Sequence, residues 1–77
     1  MINSIQYTTI SATATRLGIN KSQLLYWTHE GLLTPLQLVG KTMLFDSDSL
    51  LTQIKFIQEQ KKAGKTIKEI KELKLKQ

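Results

Sequence analysis

The chain has 77 residues, no cysteine and a formal net charge of +5 at pH 7. This length suffices for one small domain, which we expect to span residues 1–77. The lack of cysteine excludes disulfide bonds and thiolate zinc sites. No apolar run approaches the roughly 20 residues that cross a bilayer, so we predict a cytoplasmic protein without a membrane partner.

The positive charge is concentrated at the C-terminal end of the chain. Residues 1–54 carry three basic and three acidic side chains, whereas residues 55–77 carry eight lysines and three glutamates. Such a segment attracts a polyanion such as DNA, an acidic protein or an anionic membrane. A solvated helix face is the simplest interpretation, because Glu69 and Glu72 are interleaved with the lysines. Membrane binding is the weakest of these alternatives.

The first helical pattern has an apolar stripe that consists of Ile10, Ala14 and Leu17. Thr8 or Thr9 is placed to cap its start, and a glycine follows its last residue. The pattern therefore predicts a short amphipathic helix that packs one face on a core.

A second helix follows after a tight turn. It begins at Asn20, which forms an Asx version of the capping box with Gln23, and a glycine closes it. Leu24 and either Trp27 or Thr28 are predicted to face the core. The outward face would then carry Lys21, Ser22, Leu25, Tyr26 and His29. Two short helices joined in this way predict a helix-turn-helix.

A β-hairpin is predicted after Pro35, where the sequence period changes to two. Leu36 and Leu38 occupy alternate positions, and Gly40–Lys41 supplies a two-residue turn into a second strand that ends at Phe45. The predicted hairpin spans residues 36–45 and would form a wing beside the helix-turn-helix.

Two further helices are predicted after the wing. Asp46 begins the third helix, which ends near Gly64, and Thr66 forms a capping box with Glu69 at the start of the fourth. Their apolar positions at helical spacing are Leu50, Ile54 and Ile57, then Ile67, Ile70 and Leu73. The predicted fold is mostly α: a winged helix-turn-helix with four helices and a two-stranded β-hairpin wing.

These residues resemble the DNA-binding domain of the MerR-type regulators. The matching positions, in order, are Thr9-Ile10, Ala14, Gly18-Ile19, Leu24-Leu25-Tyr26-Trp27, Glu30-Gly31-Leu32-Leu33, Pro35, Phe45, Leu50, Ile57, Gly64 and Ile67-Lys68-Glu69-Ile70. The resemblance implies a small transcriptional regulator or excisionase-like factor. Its helix at about residues 21–30 would enter the DNA major groove, and its wing at residues 36–45 would contact the DNA backbone.

The departures from the family pattern keep a second function open. Leu25 and Met43 stand where the family usually has arginines that resemble phosphate contacts. The family's small chaperone-modulator relatives bind a co-chaperone instead of DNA, so a protein-interaction module is the alternative. Exposed side chains at Leu25 and Met43 would favour a protein partner, and buried ones would leave DNA binding open.

The candidate DNA-binding residues come from both helices and the wing. Lysines near the third and fourth helices are expected to add non-specific attraction. Gln23 has an alternative role in its own helix cap, and Lys41 is also an ordinary turn residue. The full set is Thr9, Arg16, Lys21, Ser22, Gln23, Tyr26, His29, Lys41 and Thr42.

The sequence carries no sign of an enzyme. It has no glycine-rich phosphate cradle and no serine, histidine and acid at plausible spacing. His29 is the only histidine, so we predict neither a metal site nor a cofactor. Trp27 is expected in the core, because its large apolar area favours burial.

The predicted partner is double-stranded DNA. A chain this small would contact only a short half-site, so useful affinity requires a homodimer, a cooperative row of copies or tethering to a larger protein. The family's long dimerising helix and effector domain have no counterpart here, so we expect no small-molecule effector.

Overall fold

The computed structural model describes residues 6–75. Residues 1–5, Lys76 and Gln77, which the predicted domain includes, lie outside that range. The elements are β1 (Tyr7–Thr8), α1 (Ile10–Leu17), α2 (Lys21–His29), β2 (Gln37–Val39), β3 (Thr42–Asp46), α3 (Ser47–Lys62) and α4 (Ile67–Leu75). The mostly helical winged helix-turn-helix is confirmed, with its four helices in the predicted order.

The wing has three strands, so the prediction of two was incomplete. The antiparallel order is β1-β3-β2, with Tyr7 opposite Asp46 and Thr8 opposite Phe45. A strand of two residues is too short to show a period of two, and its partner lies far along the chain. The hairpin itself is as predicted, because Val39 pairs with Thr42 across the two-residue Gly40–Lys41 turn.

Glycines in the left-handed region end both helices of the helix-turn-helix. Gly18 has φ +68° and Gly31 has φ +82°, values that an L side chain adopts only with strain. The amide of Leu32 donates to the carbonyl of Trp27 at 2.9 Å, which closes the last turn of α2. The polypeptide then turns back toward the wing.

The N-terminal caps of these helices were predicted only in part. Thr9 Oγ1 accepts from the amide of Ala12 at 3.2 Å, as a helix cap should. Asn20 Oδ1 accepts from the amide of Ser22 at 2.8 Å. Within the described residues no side-chain bond from Gln23 returns to Asn20, so the reciprocal box is wrong. The short Asn20 side chain forms a local Asx turn that leaves Gln23 unconstrained.

The core lies between the helix-turn-helix, the inner face of the wing and the two C-terminal helices. Its buried members are Ile10, Ala14, Leu24, Trp27, Leu32, Leu33, Phe45, Leu50, Ile54, Ile57 and Ile70. The predicted orientation of α2 is confirmed, since Leu24 and Trp27 are 0% and 2% exposed. Leu17 was assigned to the buried stripe of α1 but is 39% exposed; it is the last residue of the helix, beyond the buried Ile10, Thr13 and Ala14, and the backbone turns at Gly18 directly after it.

The capping box that opens α4 is confirmed in both directions. Glu69 Oε1 accepts from the amide of Thr66 at 2.9 Å, and Thr66 Oγ1 accepts from the amide of Glu69 at 3.2 Å. The first of these bonds is the main reason that the pKa of Glu69 lies below its ordinary value. The box fixes the direction in which α4 leaves the α3–α4 turn.

Candidate nucleic-acid interface

The outer face of α2 does not pack against the core. Because Leu24 and Trp27 point inward, the helical period turns Ser22, Tyr26 and His29 to the opposite side. All three are exposed, and Tyr26 retains 49% of its surface. A short helix with a polar, solvent-facing surface is the part of this fold that fits a DNA groove.

A groove of about 200 Å³ runs along one side of this face. The start of α1, the first turns of α2 and the wing all line it: Thr9, Ile10, Ser11, Lys21, Leu25, Lys41, Thr42 and Met43. The structure therefore brings together four predicted site residues that are up to 33 positions apart in sequence, Thr9, Lys21, Lys41 and Thr42.

The groove is electropositive. Lys21 and Lys41 stand on different elements and both line it, and none of its lining residues is acidic. Within residues 6–75 neither lysine forms an ion pair. Two ammonium groups beside an exposed helix face can bind successive phosphates of one DNA strand.

A second set of lysines lies on the other side of α2 and was absent from the predicted site. Lys61 and Lys62, in the last turn of α3, line a shallow depression together with Gln23, Trp27 and Gln58. Lys61 Nζ lies 5.7 Å from the centre of the Trp27 ring, within cation–π range. The spacing Ile54, Ile57, Lys61 already placed Lys61 on the face of α3 that packs toward α2.

Four predicted site residues line neither the groove nor the depression, and two of them, Ser22 and Tyr26, lie on the exposed outer face of α2. The other two lie in the last turns of their helices. Arg16, in the last turn of α1, and His29, in the last turn of α2, are exposed but line neither the groove nor the depression. Each suits the C-terminal end of a helix, where a basic side chain complements the helix dipole. The positions of Arg16 and His29 in the sequence did not indicate that they lie outside the groove.

The two positions that depart from the family pattern differ in their surroundings. Leu25 is 40% exposed in the wall of the groove. Met43 is half-buried and packs against the core. Exposure at these two positions therefore does not favour one function alone. Met43 serves the packing of the wing, which leaves DNA binding open, while Leu25 offers an apolar surface beside the two groove lysines.

The C-terminal lysines are only partly available as a basic surface. Lys74 Nζ donates to the carbonyls of Gly31 and Leu32 at 3.1 and 2.6 Å. Burial lowers the pKa of Lys74 below its ordinary value. Lys71 lies 3.5 Å from a carboxylate oxygen of Glu30. These two side chains attach α4 to the end of α2. Lys74 therefore departs from the expected solvated face of α4, whereas Lys68 remains exposed and Lys71 forms a surface ion pair.

The fold and this basic interface define a winged helix-turn-helix domain of the nucleic-acid-binding class. The family described as MerR HTH family regulatory protein matches residues 8–77, and the chain belongs to this family. It is thus a DNA-binding transcription regulator in general terms, from a regulatory and not an enzymatic family.

The other comparisons add no relatives. No curated protein and no solved structure matched the chain. Among the described residues, no helix has both the length and the apolar character needed to cross a membrane.

Proposed function

We propose that the chain binds double-stranded DNA with α2 in the major groove and the wing against the adjacent backbone. Ser22, Gln23 and Tyr26 would face base edges, and Thr9, Lys21, Lys41 and Thr42 would hold phosphates of the flanking strand. The observation that carries this proposal is the electropositive groove, in which two lysines from separate elements flank the exposed face of α2.

Lys61 and Lys62 extend this proposed surface to the opposite flank of α2. They contribute two further positive charges beside Gln23, so the outer face of α2 has lysines on both sides. A DNA duplex that contacts α2 would lie near both pairs of lysines. These lysines would replace the arginines that the family usually has at the positions of Leu25 and Met43. A small regulator or an excision factor would use such a surface.

The groove lysines provide the test. Replacing both Lys21 and Lys41 by glutamine is expected to weaken binding to a mixed-sequence duplex roughly 30-fold at about 0.15 M salt, because two phosphate contacts are lost. The slope of log affinity against log salt should fall in magnitude by about 1.8. Fluorescence anisotropy of a labelled duplex measures both quantities.

The matched control removes the same charge elsewhere. Lys55 and Lys68 are exposed lysines of α3 and α4 that do not line the groove. Replacing these two by glutamine should change the affinity far less. Equal losses in the two double variants would show that DNA responds to net charge alone and would contradict a defined groove.

A protein-interaction module is the second candidate, and the exposed Leu25 favours it. An apolar side chain in a groove wall is better suited to a protein surface than to phosphate. Under this alternative the wild-type chain shows no salt-dependent binding to the duplex. The same anisotropy titration therefore separates the two functions.

A further inference from the structure

Leu25 supplies most of the accessible apolar surface in the groove beside α2. The apolar side chains that line this groove are Ile10, Leu25 and Met43. Ile10 is buried and Met43 is half-buried against the core, whereas Leu25 is 40% exposed. A ligand in the groove therefore makes its apolar contact mainly with Leu25.

The rotation of α2 places Leu25 between a lysine suited to phosphate and a serine suited to bases. Leu25 follows Lys21 by four residues and Ser22 by three, so the three side chains are neighbours on the helix surface. At about 100° per residue, Leu25 lies between the other two around the helix. Lys21 lines the groove and Ser22 is exposed on the outer face. A duplex bound to α2 would meet Leu25 where its backbone gives way to base edges.

The charges around Leu25 favour a polyanion as the occupant of the groove. Lys21 and Lys41 line it together with Leu25, and none of its lining residues is acidic. Duplex DNA offers phosphates to the lysines. In its major groove it also presents one apolar group, the C5 methyl of thymine. A stretch of duplex that contains thymine thus matches both the basic and the apolar parts of the groove.

We propose that Leu25 contacts the C5 methyl of thymine in the major groove and makes the chain prefer an A·T pair at that position. This inference rests on the proposed function. A leucine side chain has no hydrogen-bonding group, so it cannot make the phosphate contact of the arginine that the family usually has here. Leucine at this position therefore exchanges a sequence-independent contact for a contact with one base.

Two duplexes that differ only in thymine methyl groups test the proposal. One is an alternating A·T duplex of about 20 base pairs, or roughly two helical turns. The other has deoxyuridine in place of every thymidine. Every register of the first duplex offers methyl groups to Leu25. The wild-type chain should bind it about fourfold more tightly than the second, as expected for the burial of one methyl group. Fluorescence anisotropy at low salt measures both affinities.

Two alanine variants assign the preference to Leu25. Leu25→Ala removes the contact and should bind the two duplexes equally, while its helix still forms because alanine has the highest helix propensity. Leu75→Ala is the matched control, because Leu75 is 83% exposed on α4 and does not line the groove. This control should keep the fourfold preference. Circular dichroism verifies that both variants are folded.

Leu25→Arg separates contact with a base from contact with the backbone. This variant has the side chain that is usual in the family and gains one phosphate contact. It should bind both duplexes more tightly than the wild type, with a salt slope that is steeper by about 0.9. It should not distinguish thymine from uracil. Retention of the thymine preference in Leu25→Arg or Leu25→Ala, or its loss in Leu75→Ala, would overturn the proposal.

Failure of this inference differs from failure of the proposed function. Equal wild-type binding to the two duplexes overturns the thymine contact while DNA binding stands. The apolar contact of Leu25 would then be with deoxyribose, which both duplexes share. Absence of wild-type binding to either duplex at low salt overturns both proposals and favours a protein partner.

Discussion

Replacing Trp27 by alanine is expected to lower the free energy of unfolding by about 3–5 kcal/mol. Trp27 is 2% exposed, belongs to the core cluster and fixes the rotation of α2. A domain of 77 residues has a total stability of about 4–12 kcal/mol. The variant should therefore lose a large part of the stability of the domain.

The neighbouring aromatic residue is the control for this prediction. Tyr26 is 49% exposed on the opposite side of the same helix, so Tyr26→Ala should cost less than about 1 kcal/mol. Urea unfolding followed by far-ultraviolet circular dichroism measures both variants without relying on tryptophan fluorescence. Equal shifts in the two midpoints would contradict the assignment of Trp27 to the core.

The second large effect is expected at Ser22, on the exposed face of α2. Ser22→Glu should weaken DNA binding on the order of a hundredfold, because a carboxylate against phosphate costs several kcal/mol. The fold should be unaffected, since an acidic residue in the first turn of a helix is favourable. The cap at Asn20 uses the backbone amide of Ser22 and remains intact.

The control for Ser22 is a serine in the first turn of another helix. Ser49 is exposed in the first turn of α3, where its hydroxyl donates to Asp46 Oδ2 at 2.9 Å. Ser49→Glu gives up this hydrogen bond and adds a carboxylate near Asp46, so it should lose a little stability but still fold. It should keep its DNA affinity, because Ser49 lies on α3 and does not line the groove. Anisotropy titrations compare the two variants at equal net charge. Similar losses of affinity would argue against contact between α2 and DNA.

The local features of the fold follow from short-range sequence signals. Gly31, Asp46 and the Thr66–Glu69 box mark the ends of helices, and Gly40–Lys41 fixes the hairpin register. Each signal depends on the conformational preference of a few neighbouring residues. The four helices and the wing could therefore be predicted with nearly correct bounds.

The errors arose where distant parts of the chain meet. The third strand depends on pairing between Tyr7 and Asp46, and Leu17, at the end of α1, lies beyond the reach of the core. Lys74 was taken for a solvated lysine because no local pattern shows that the end of α2 offers it two carbonyls. Such contacts are set by packing between elements and leave no periodic signal in the sequence.

The candidate site likewise combines a local feature that could be predicted with a contact between distant elements that could not. The outer face of α2 could be predicted from the helical period alone, since Leu24 fixes its rotation. The groove could not, because it forms only when the start of α1 and the wing approach α2. Lys61 and Lys62 were recognised as basic but not as neighbours of Gln23.

The most direct test of DNA binding by α2 and the wing is an amide-resolved NMR titration of the chain with a mixed-sequence duplex at low and then moderate salt. We predict shifts centred on residues 21–29 and on Lys41 that persist when salt is added. Shifts confined to residues 61–75 and abolished by salt, or no shifts, would contradict it.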